Sequence, residues 1–87
     1  MKMIILIVKD NDSEAVTQAL TSAQYRVTRV ASTGGFLRSG VVTLLLGVLD
    51  ERVEAALELV RGKLTPLPSG ERRATIFVVP VEQFEQV

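Results

Sequence analysis

Apolar runs and amphipathic stretches alternate along this chain. Residues 2 to 9, "KMIILIVK", are β-branched, apolar and short, which predicts a strand. From Asp10 the period changes: Ala15, Val16, Ala19, Leu20 and Ala23 recur on one face of a helix. Residues 25 to 31 predict a second strand, and the charges within it, Arg26 and Arg29, mark it as an edge. A glycine loop follows, "ASTGGFLRSG", residues 31 to 40. Residues 41 to 48, "VVTLLLGV", predict a third strand. Residues 50 to 61 predict a second helix, with Val53, Ala56, Leu57 and Val60 on one face and Gly62 positioned to end it. After the Pro/Gly loop "KLTPLPSGERR", residues 74 to 79 predict a fourth strand and 82 to 87 a short tail.

The predicted order is βαββαβ, and the two halves match internally. Shifted by forty residues, "IILIVKDNDSEA" lies over "LLLGVLDERVEA", so that Asp10 meets Asp50, Glu14 meets Glu54 and Ala15 meets Ala55. Each half reads as strand, acidic helix entry, helix. An aspartate at that entry accepts a hydrogen bond from free amide groups and complements the positive helix end. Two such split βαβ halves make an α+β, ferredoxin-like sandwich with both helices on one sheet face. The 87 residues bound the chain to a single domain, residues 1 to 87.

The strands then raise a difficulty. A sheet covered on one face alternates apolar and polar residues, and these strands do not. Strand one offers Met3, Ile5 and Ile7 to one side and Ile4, Leu6 and Val8 to the other. Strand three offers Val42, Leu44, Leu46 and Val48 against Val41, Thr43, Leu45 and Gly47; strand four offers Phe77 and Val79 against Ile76 and Val78. Two helices cover one side only, leaving about six to eight large apolar side chains, whose burial is worth on the order of 10–20 kcal/mol. That gross figure is comparable with or above the roughly 4–15 kcal/mol cost of association. The expectation is a homo-oligomer packed through the open sheet face.

Composition removes several functions. With no cysteine and no histidine, there is no disulfide, no thiol chemistry, no common zinc or copper site and no Ser–His or Cys–His nucleophile. An enzyme is therefore not expected, nor a cofactor or a metal. Ten basic and ten acidic residues cancel, so no global field draws in nucleic acid or an anionic membrane. A nucleic-acid-binding sheet would present several aromatics beside basic residues; this open face carries aliphatics and Phe77. "MIILIV" is too short to span a bilayer and has no cleavage site, so a cytoplasmic protein is expected. Locally, Arg26, Arg29 and Arg38 fall in a stretch free of acidic residues, which fits either solvated edge charge or an anion-facing surface.

Inside the glycine loop sit Phe36 and Leu37, which so short a tip cannot bury by itself. They pack on a neighbouring subunit or touch a ligand there. The string "ASTGGFLRSG", with "RVT" before it and "ATIFVVPVEQFEQ" near the end, resembles the PII-like cyclic di-AMP receptor family. The likeness extends to the opening "MKMIILIVKDND" and to "GVLDERVEAAL". It implies a PII-like ferredoxin fold assembled as a homotrimer. It also implies nucleotide clefts between adjacent subunits, no catalytic activity, and signalling to a protein target that the sequence does not name. The resemblance carries ligand contacts onto Arg26 and Thr28 of strand two, Gly35, Phe36 and Leu37 of the loop, Gly47 of strand three, and Phe77 and Gln86 of the C-terminal segment. Two positions that carry asparagine in the family hold Gln24 and Val41 here. Gln24 still offers a hydrogen-bonding amide and joins the candidate contacts, whereas Val41 offers none.

The chemistry fits such a ligand. A phenylalanine stacks on a purine, worth about 1–3 kcal/mol per base. Gly34 and Gly35 allow close backbone approach to an anion, Arg26 offers a planar fork for a phosphodiester, and Thr28 adds a hydroxyl two residues along. Each position also has a plainer use: Phe77 as core, Gly47 as relief of crowding. The alternative reading is a PII-like trimeric regulatory or structural protein that does not bind cyclic di-AMP.

Overall fold

The computed structural model describes residues 1–30, 40–64, 74–83 and 85. Four strands, β1 (Lys2–Lys9), β2 (Val27–Val30), β3 (Val41–Val48) and β4 (Ala74–Pro80), form one antiparallel sheet in the order β2-β3-β1-β4. Two helices, α1 (Asp10–Ser22) and α2 (Val53–Lys63), complete the βαββαβ order, and a 3-10 turn (Asp50–Arg52) leads into α2. This is the ferredoxin-like, PII-like α+β fold.

Register explains which residues made the core. Ile4 pairs with Leu46 and Val78, Leu6 with Leu44 and Ile76, and Val8 with Val42 and Ala74. Directly opposed residues share a sheet face, and this face meets the helices. Ile4, Leu6, Val8, Val42, Leu44, Leu46 and Val48 are buried there against Val16, Leu20, Ala56, Leu57 and Val60. The other face runs in rungs: Phe77–Ile5–Leu45–Thr28, then Val79–Met3–Gly47, then Thr75–Ile7–Thr43–Val30. None of these residues is buried. The helices thus shelter one face of the sheet, and the second apolar set lies on the side away from them.

Several local expectations give way to tertiary geometry. β2 begins at Val27 rather than Tyr25, because Tyr25 closes the end of α1. The Gln24 amide donates to the Thr21 carbonyl and the Tyr25 amide to the Leu20 carbonyl, both at 3.0 Å. That pair of bonds is a Schellman motif, with Gln24 left-handed at φ +73° and Tyr25 buried near Leu20. Gly62 does not end α2, which runs through it to Lys63 and leaves extended at Leu64. β4 continues one residue further, to Pro80, which an edge strand tolerates. On α1 the buried stripe is Ser13, Val16 and Leu20, with Ala15 exposed; the Ser13 hydroxyl donates to the Asp10 carbonyl at 2.9 Å.

The acidic helix entries also differ from expectation. Lys9 precedes α1, and neither helix entry has a side-chain capping hydrogen bond. Asp10 and Asp12 still occupy the first turn of α1, where negative charge complements the helix. Asp10 is used sideways: its carboxylate lies 3.4 Å from Arg29 of β2. Its amide donates to the Gly40 carbonyl at 2.7 Å. Gly40 adopts φ +87°, a left-handed conformation that glycine enters without penalty, and it delivers the chain into β3. Asp50 instead accepts from the Met1 ammonium at 2.9 Å. That hydrogen bond, with the ammonium and Lys2 charges, holds the Asp50 carboxyl below its ordinary value against a smaller opposing effect of desolvation.

Candidate functional site

Of the residues with an expected binding role, Gln24, Arg26, Thr28, Gly47 and Phe77 fall among the described residues; Gly35, Phe36, Leu37 and Gln86 lie outside them. The five are not adjacent as a set. Thr28 belongs to the open face of β2, opposite Leu45 of β3. Arg26 immediately precedes β2, and the register carried one residue further sets it beside Gly47. Arg26, Thr28 and Gly47, all exposed, therefore occupy one half of the open face. Gln24 is exposed in the turn just before them.

Phe77 is elsewhere. It shares the rung of Thr28, but on β4, the opposite edge of the sheet. Three strand spacings separate the two, about 14 Å. Phe77 is half exposed, at 50%, so it is not core within this chain. A single base cannot touch Thr28 and Phe77 of one chain at once.

Gly47 has no left-handed backbone angle to require glycine. A Cβ built there would meet one atom, the Met1 Cε at 3.2 Å, which is the far end of a flexible side chain. The absence of a side chain at Gly47 keeps the middle of the open face low. Met1 is held beside it by its ammonium on Asp50 and by its carbonyl, which accepts from the Val81 amide at 3.0 Å. Val41 is half-buried on the same face opposite Lys9, and contributes apolar surface only.

The turn ahead of Arg26 has a support that sequence reading did not identify. The Arg52 guanidinium stacks on the Tyr25 ring, 4.2 Å from its centroid, and donates to the Ala23 carbonyl at 3.1 Å. In return, the Tyr25 hydroxyl donates to the Arg52 carbonyl at 3.3 Å. No periodicity points to Arg52, whose partners are distant in the chain.

Among the described residues, no group of three or more acidic side chains gathers as a metal site. No helix among them is long and apolar enough to cross a membrane. What the open face provides is a guanidinium and a hydroxyl at one edge, an aromatic ring at the other, and aliphatic surface between.

Comparison with known proteins bears on the family of the chain as a whole. Residues 1–66 match the family described as cyclic-di-AMP receptor. A crystal structure of a functionally unknown protein from Pediococcus pentosaceus ATCC 25745 is similar over 99% of this chain and 96% of its own, at 35% identity and a TM-score of 0.76. Members of the receptor family are PII-like signalling binders rather than enzymes. With the match covering β1 through α2 and the fold agreeing, this chain belongs to the cyclic-di-AMP receptor family.

Proposed function

We propose that this protein is a signalling receptor that binds cyclic di-AMP, or a closely related adenine nucleotide, in clefts between the subunits of a cytoplasmic homotrimer. The observation that supports it most is the division of the open face. Arg26 and Thr28 lie at the β2 edge with Gly47 beside them on β3, and Phe77 lies at the β4 edge, on a single face that the described helices do not cover. A site that uses both edges for one base needs the β2 edge of one subunit and the β4 edge of the next. Packing through the open face brings subunits together in that way and buries Met3, Ile5, Leu45 and Val79.

In such a cleft each group has a distinct task. Phe77 stacks on an adenine, and Arg26 meets a phosphodiester with its planar fork. Thr28 donates or accepts one hydrogen bond, and Gly47 admits the ligand close to the strand. Gln24 adds an amide beside the phosphate. Gly35, Phe36 and Leu37 of the glycine loop and Gln86 of the tail complete the contacts. Ordering of that loop carries the signal to a protein target.

Mixing variants tests the arrangement. Arg26→Ala and Phe77→Ala, each alone, are expected to weaken cyclic di-AMP binding at every site in calorimetry while keeping the assembly. Unfolded together and reassembled, they recover about a quarter of the sites, since each then supplies the edge the other lacks. No heat from the native protein with any cyclic dinucleotide or adenine nucleotide defeats the receptor reading and leaves the non-binding PII-like trimer.

A further inference from the structure

Arg52 closes the 3-10 turn before α2, yet its side chain turns away from that helix to the turn between α1 and β2. Three contacts converge there: guanidinium on the Tyr25 ring, guanidinium to the Ala23 carbonyl, and Tyr25 hydroxyl to the Arg52 carbonyl. Ala23 and Tyr25 flank Gln24, whose left-handed backbone is unfavourable for a residue with a Cβ. Such a conformation persists where the surroundings fix it. The Schellman bonds fix it from the α1 side, and Arg52 grips the residues on either side of it from the α2 side. Tyr25 then hands the chain directly to Arg26.

We propose that Arg52 is a positioning residue of the nucleotide site: acting through Ala23 and Tyr25, it sets the turn that aims Gln24 and Arg26. The proposal rests on the receptor reading above. An arginine suits the task because one planar group stacks on the ring and donates in its own plane, which an ammonium does not do. Arg52 is exposed and lies outside the apolar core, so its removal leaves the sheet and its cover in place.

The test is a cycle of Arg52→Ala with Arg26→Lys, read by calorimetry with cyclic di-AMP on the assembled protein. Arg26→Lys retains the charge but discards the fork, so exact aim matters less in that background. Arg52→Ala is expected to weaken binding about tenfold (~1.4 kcal/mol) in the native background, and clearly less beside Arg26→Lys. Arg52→Lys, which keeps the charge and the fold, is expected to recover only part of the affinity. In hydrogen exchange, the Gln24 and Tyr25 amides are expected to exchange faster in Arg52→Ala, ligand absent. An equal loss in both backgrounds, unchanged affinity, or unchanged exchange of those amides overturns the proposal while the receptor reading stands. A native protein that binds neither a cyclic dinucleotide nor an adenine nucleotide overturns both.

Discussion

Gln24→Gly is expected to make this protein more stable, and the size of the gain follows from one backbone angle. Gln24 stands at φ +73° after the last turn of α1, the position where helices most often place glycine. A left-handed residue with a Cβ costs roughly 1–2 kcal/mol. Glycine removes that cost, but it gives the unfolded chain freedom worth about 0.4–1 kcal/mol. The net expectation is a gain of about 0.5–1 kcal/mol per chain, or a rise in melting temperature of about 2–8 °C for a domain of this size. The Schellman bonds from the Gln24 and Tyr25 amides are backbone bonds and survive the change. Thermal unfolding by circular dichroism, at one fixed protomer concentration because the proposed assembly would shift the midpoint, measures it. Gln24→Ala keeps the Cβ and discards the amide, so it is expected to melt close to the native protein. A Gln24→Gly variant that melts at or below the native temperature refutes the reasoning, since the glutamine side chain then contributes more than the backbone costs. Asparagine, which tolerates the left-handed region better than glutamine, is expected to fall between the two.

Other expectations follow from the same geometry. Leu45→Glu, opposite Ile5 on the open face, is expected to yield a folded particle of 9.5 kDa in sedimentation while the native protein is expected to be heavier; a native protein that already sediments at 9.5 kDa removes the basis for subunit clefts. Phe77→Ala is expected to weaken adenine-nucleotide binding by roughly 5- to 150-fold, the equivalent of one stacked base, and unchanged affinity would mean the ring serves packing alone. Leu44→Ala, at a fully buried position, is expected to cost about 2–5 kcal/mol in urea unfolding. Asp50 has a depressed carboxyl pKa when folded, so its contribution is present above the unfolded value near 3.8 and disappears as pH falls through the lower folded value. Melts of native protein and Asp50→Asn are therefore expected to differ at pH 6 and to converge as pH falls through the lowered folded value; a constant gap contradicts the ion pair.

Much of the fold was legible in the sequence. The apolar run at 2 to 9 and the run at 41 to 48 are observed as β1 and β3 with the bounds their periodicity gave. Both strands carry apolar residues on both sides, and the division into Ile4, Leu6, Val8 against Met3, Ile5, Ile7 is the one observed. The helical stripe Ala56, Leu57, Val60 is buried as its spacing implied. The candidate site residues were legible less directly: Arg26, Thr28, Gly47 and Phe77 stood out through family likeness, and the chain's periodicity does not say which of them are neighbours.

That last matter belongs to the tertiary structure. Register set Thr28 and Phe77 on one face yet at opposite edges, because strand pairing joins segments far apart in sequence and depends on the packing of the whole face. Tyr25 was drawn from the strand into the helix cap, and Gln24 into a left-handed angle, by bonds to Leu20 and Thr21 and by Arg52. Asp10 turned from its helix end toward Arg29 once β2 lay beside it. Periodicity is written in near neighbours, so the sequence alone determined which stretches were strands and helices and that one greasy face exceeded its cover. Contacts made across the chain decided which residues that face brings together.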